Sequence, residues 1–95
     1  MRLSRNKTMT QKLFEFSIIA SGLDPTSDDF EARFFNAGCD DATVSFQNGQ
    51  IFLDFARVAH SFALALSSAV EEVRGAGAQI VRIESEKLAK FGTIQ

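Results

Sequence analysis

His60 is the chain's one histidine, and Ser61 follows it directly. Together with Asp54 they supply the three residue types of a serine nucleophile, its base and an orienting carboxylate. Such chemistry needs the three side chains to converge, and closeness along the chain does not bring that about. The expected place of His60 is the entry to a helix. Cys39, the one cysteine, is followed by Asp40 and Asp41. Nearby negative charge raises a thiol's pKa and slows its reactions, so Cys39 reads as a small buried apolar side chain. The two aspartates lack the further oxygen ligands, at fixed offsets, that a hard cation needs. One Cys and one His are too few for structural zinc. Gly75, Ala76 and Gly77 follow a helical pattern instead of opening one, so they are a stop signal and not a phosphate cradle. No catalytic, metal or cofactor residue is assigned, and the expectation is a protein that is not an enzyme.

Charge is uneven along the chain. Ten basic and twelve acidic residues leave a net charge of -2, too small to signal nucleic acid or membrane by bulk electrostatics. Yet Arg2, Arg5, Lys7 and Lys12 fall in the first twelve residues with no acid among them. They form a basic arm able to give weak, nonspecific, salt-sensitive contact with nucleic acid. Between residues 24 and 41 lie six acids against the single Arg33. The acidic flank, with Asp28, Asp29, Asp40 and Asp41, is a candidate surface for a basic partner. The start is polar, with no signal-like apolar run, and the lone thiol suits a reducing compartment, so a cytoplasmic protein is expected. No apolar stretch is long enough to span a bilayer.

These residues must be positioned by a small set of elements. Residues 1–11 read as a flexible basic arm, 12–84 as one domain and 85–95 as a C-terminal tail. From Lys12 the pattern alternates, with Phe14, Phe16, Ile18 and Ala20 on one face of a strand and Leu13, Glu15, Ser17 and Ile19 on the other. Thr26 with Asp29 resembles a capping box. Phe30, Phe34 and Ala37 recur at helical spacing, and Gly38 stops the helix. Asn48-Gly49 between two alternating runs predicts a two-residue hairpin pairing Phe46 with Ile51, Val44 with Leu53 and Ala42 with Phe55. Ser61 caps a second helix, to about Arg74, whose apolar stripe is Phe62, Leu66, Ala69, Val70 and Val73. Residues 79–84 form a last strand, with Val81 and Ile83 on one side.

Strand, helix, strand, strand, helix, strand predicts an α+β fold. The expected architecture is a ferredoxin-like βαββαβ sandwich: a four-stranded antiparallel sheet with two helices on one face and the first and third strands central. Its core should hold the phenylalanines of the first strand with Ile18, Phe30, Phe34, Val44, Phe46, Ile51, Leu53, Phe55, Leu66, Val70 and Val73. The bare face then carries Leu13, Ile19 and Phe52 among polar neighbours. With one aromatic and two acids it is a poor platform for stacking RNA bases. It suits a protein interface, and Ile80 marks the more adhesive sheet edge. The expected partner is a second copy, in a homodimer.

Four segments carry a family resemblance: Phe14-Glu15-Phe16, the block from Phe35 through Gly38-Cys39-Asp40-Asp41 to Val44, Leu53-Asp54-Phe55-Ala56-Arg57, and Ala69-Val70-Glu71-Glu72-Val73 before Val81-Arg82-Ile83-Glu84. Over residues 12–84 the chain resembles the N-terminal ferredoxin-like domain of small bacterial helix-turn-helix DNA-binding regulators. In that family the helix-turn-helix follows the last strand. The eleven residues after Glu84 cannot hold it. The resemblance therefore implies the accessory half: a non-enzymatic regulatory or interaction module that self-associates or docks on a larger regulator. The alternative is a small phage or mobile-element inhibitor of anti-CRISPR type. It would use the acidic flank to block a host nucleic-acid-binding complex.

Overall fold

Strict alternation builds the first and longest strands. The computed structural model describes residues 11–85. In it β1 (Lys12–Ser21) is followed by α1 (Phe30–Asn36), β2 (Ala42–Gln47), β3 (Gln50–Ala59), α2 (Phe62–Gly75) and β4 (Gln79–Glu84). The four strands form one antiparallel sheet in the order β2-β3-β1-β4, which puts the first and third strands at its centre. Asn48 and Gly49, at φ 51° and 79°, make the tight turn between β2 and β3. Positive φ at both central residues matches the right-handed twist of the flanking strands. The pairing is the expected one, with Phe46 opposite Ile51, Val44 opposite Leu53 and Ala42 opposite Phe55.

The core lies between one sheet face and the two helices. Phe16, Ile18 and Ala20 of β1 sit opposite Phe55, Leu53 and Ile51 of β3. All six are buried in one cluster with Phe30 and Phe34 of α1 and Ala65, Ala69 and Val73 of α2. Phe16 stacks on Phe55 with ring centres 5.2 Å apart, and Phe62 meets Phe14 and Phe16 edge-on. Leu66 and Val70 pack at the margin while alanines hold the centre of the α2 stripe, because small residues let the helix approach the sheet closely. Phe46 is a correction to the expected core. At the hairpin end of an edge strand it is 42% exposed.

Both helices are set by their ends. Ser61 caps α2 as expected, its hydroxyl accepting from the Leu64 N–H at 3.2 Å. Thr26 does not cap α1. Asp24 accepts from both its N–H, at 2.9 Å, and its hydroxyl, at 2.7 Å, and closes a turn of its own. The helix therefore begins later, behind Asp29, whose carboxylate accepts from Ser27 instead of from the helix backbone. Gly38 ends α1 at φ 114°, with the Cys39 N–H bonded back to the Phe34 carbonyl at 2.9 Å. Arg33 ties the helices together, donating to the Ala76 carbonyl at 3.2 Å.

The β4 edge departs from simple alternation. Ile19 lies opposite Arg82 but Ala20 lies opposite Ile80, so Val81 is an extra residue in a bulge. Ile80 and Ile83 both pack against the core as a result, and Val81 points out. This corrects the placement of Val81 with Ile83. It also corrects Ile80 as an adhesive edge residue, since its side chain is used inward.

Candidate functional site

The densest polar cluster surrounds Arg57, near the C-terminal end of β3. The strand's alternation points Arg57 to the helix side, between Phe55 and Ala59, and it is only 8% exposed. Its guanidinium donates to both oxygens of Asp41 at 2.8 Å and to Glu72 of α2 at 2.7 Å. Two further bonds reach the Gly38 carbonyl at 3.1 Å and the Ser68 hydroxyl at 2.9 Å. The Phe55 ring lies 5.0 Å below the cation. Gly38 is required here twice over. Beyond its positive φ, a Cβ at this position would sit 2.7 Å from the Glu72 carboxylate. One side chain of β3 thus holds the loop before β2 against α2. The Gly38–Asp41 stretch of the resemblance block is the receiving half of this cluster. Sequence reading assigned Arg57 no role. The available signal was an arginine at a core-facing position of an alternating strand.

The electrostatics are those of a structural clamp. Hydrogen bonds from Arg57 hold the Asp41 carboxyl below the usual carboxylate range, and the same bonds push the guanidinium pKa up. A guanidinium so placed stays charged and moves no proton. Burial, and then the Glu72 charge, push the Cys39 thiol up to about 11, which removes it as a nucleophile at neutral pH. His60, Ser61 and Asp54 do not form a reactive set. Asp54 accepts from Ser17 on the bare sheet face, Ser61 is engaged as a helix cap, and six residues of strand put His60 about 20 Å from Asp54. Among the described residues no group of His, Cys, Asp and Glu is arranged to hold a metal. None of the described helices is long and apolar enough to cross a membrane.

A cavity of about 420 Å³ opens beside this clamp, between α1 and the outer edge of β2. Phe35 and Val44 give it apolar walls, the buried Cys39 closes one side, and Glu31 and Asp40 stand at its border. Phe35 is 63% exposed. Its place in the resemblance block, next to the core residue Phe34, gives no sign of this exposure.

The residues expected to meet a partner divide into three groups. On the bare sheet face Leu13 is exposed, but the apolar residue beside it is Val58, directly opposite on β3, which sequence reading passed over. They are 57% and 56% exposed. Phe52 is half-buried, and Ile19, between Phe52 and Arg82 in mid-sheet, is fully buried. Ile19 is therefore corrected as a contact residue, since it offers a partner no surface. In the acidic flank Asp28, Asp29 and Asp40 are exposed, with Asp29 also 3.4 Å from Arg33. Asp41 is corrected too: its carboxylate is committed to Arg57. In the basic arm Lys12 is exposed at the start of β1, whereas Arg2, Arg5 and Lys7 lie outside the described residues, as does the C-terminal tail beyond Ser85.

No protein-family model, curated protein or solved structure matches the chain.

Proposed function

We propose that this chain is a non-catalytic interaction module that pairs with a second copy of itself across the bare face of its sheet. The observation that carries this reading is the Leu13–Val58 pair. Two large apolar side chains lie directly opposite one another on the two central strands, each more than half exposed, on the face away from the helices. Scattered single hydrophobes are normal on a surface, but two large side chains directly opposite one another across two strands are the start of a patch, with half-buried Phe52 about 20 Å further along the same face. A two-fold axis through that face sets each pair against its mate. The chain order and the central placement of β1 and β3 support a ferredoxin-like sandwich. The resemblance to the accessory domain of bacterial helix-turn-helix regulators favours a regulatory setting in a reducing cytoplasm. Any nucleic-acid contact is then weak and comes from Lys12 and the arm before it. Light scattering across micromolar concentrations tests the reading. The expected result is a dimer that Leu13→Glu with Val58→Glu turns into a monomer without loss of the circular dichroism spectrum. A monomeric parent chain, or a dimer untouched by both changes, overturns it.

A further inference from the structure

The groove between α1 and β2 faces the other side of the sheet, so whatever it binds is independent of the Leu13–Val58 face. Three features meet there. First, among the described residues β2 is an edge strand with β3 as its one neighbour. The Ala56 N–H donates to the Asp41 carbonyl at 3.1 Å, which sets the alternation of the ladder. Val44 and Phe46 therefore turn their backbone N–H and C=O groups away from β3, as an open template. Second, the helix side of that template is the cavity of about 420 Å³ walled by Phe35 and Val44, room enough for a large apolar side chain. Third, the border is acidic. Glu31 and Asp40 pair with no other described residue, and Arg33, the one cation of the flank, is spent on Asp29 and the Ala76 carbonyl.

We propose that this groove takes an extended basic peptide segment of another protein, added to β2 as a fifth strand. The peptide backbone bonds to Val44 and Phe46. One apolar side chain enters the cavity against Phe35, and the lysines or arginines beside it face Glu31 and Asp40. A second copy's β2 is the wrong occupant, because its residues Ala42–Gln47 bring no basic side chain to set against Glu31 and Asp40.

The test is titration of the isotope-labelled full chain, followed by amide NMR shifts, with a short peptide of alternating Lys and Val and with its Glu–Val counterpart. The expected result is saturable shifts in β2, α1 and the loop between them with the Lys–Val peptide and none with the other. Phe35→Glu, at an exposed position that leaves the core intact, should weaken binding about tenfold or more. Glu31→Gln with Asp40→Asn should weaken it roughly three- to tenfold at low salt and little at high salt. No shifts, shifts at β4 or on the bare face, or an equal response to the Glu–Val peptide overturn the proposal. Concentration-dependent shifts in β2 without peptide assign the groove to a second copy and overturn it as well.

Discussion

Strand β4 carries a bulge at Val81 and an exposed Arg82–Glu84 pair at 2.8 Å, whereas β2, at the opposite edge, runs in unbroken register with β3. A bulge interrupts the row of free backbone groups, and charges on the strand repel an apolar neighbour, so β4 is guarded against pairing. The described part of β2 has neither device. What it has is an anchor, since the Arg57 cluster fixes the loop from which it starts. Counting hydrophobes misjudges both edges. Ile80 and Ile83 make β4 read as the adhesive one, yet a single extra residue turns both inward.

The largest expected effect breaks the anchor. Arg57→Leu leaves Asp41 and Glu72 facing each other without a cation and should cost about 3 kcal/mol. The matching change on the guarded edge, Arg82→Leu, removes an exposed pair and should cost less than about 1 kcal/mol. Urea unfolding followed by circular dichroism measures both, and equal losses would erase the contrast between the edges. Next comes Gly38→Ala, which forces a side chain into a left-handed backbone and against Glu72. Its expected cost is about 2 kcal/mol, with unfolding at lower urea and an unchanged slope. A smaller effect at the anchor sharpens the comparison by pH. The folded pKa of Asp41 lies below its unfolded value, so its contribution is present above the ordinary carboxylate range. It is lost as pH falls through the folded value, below about 4. Asp41→Asn should lower stability by roughly 1 kcal/mol at neutral pH and flatten this acid limb. An acid limb of unchanged steepness in the variant would assign the loss to other carboxylates.

Local signals in the sequence carried the parts of the fold that depend on neighbours in the chain. Asn48-Gly49 set the hairpin register, Ser61 capped its helix, and the alternation from Lys12 placed β1 correctly. Signals that depend on distant residues did not read through. Thr26 is a local exception: it looked like a cap although Asp24, only two residues before it, takes its hydroxyl in a turn of its own. The bulge at Val81 arises from pairing with β1 and has no mark in the β4 segment itself. The candidate sites were less legible than the fold for the same reason. Leu13 was found from its strand alone, but Val58 acquires meaning only as its cross-strand partner. Arg57 has no assigned role in the sequence and acquires one only when two other segments close around it, the loop with Asp41 and the helix α2 with Ser68 and Glu72.

The order of strands in the sheet differs from their order of synthesis. β1 is made first and ends up central, yet both of its neighbours come late: Leu53, opposite Ile18, is thirty-five positions downstream, and β4 is the last strand. The β2–β3 hairpin closes over two residues and meets almost no loop-closure entropy, whereas pairing β1 must close a long loop first. At ribosomal speeds of about 5–20 residues per second, the apolar face of Phe14, Phe16 and Ile18 waits roughly two to seven seconds for a partner. During that interval the nascent chain displays its stickiest strand without cover, so the burden of keeping it from aggregating falls on the cell and not on the finished fold.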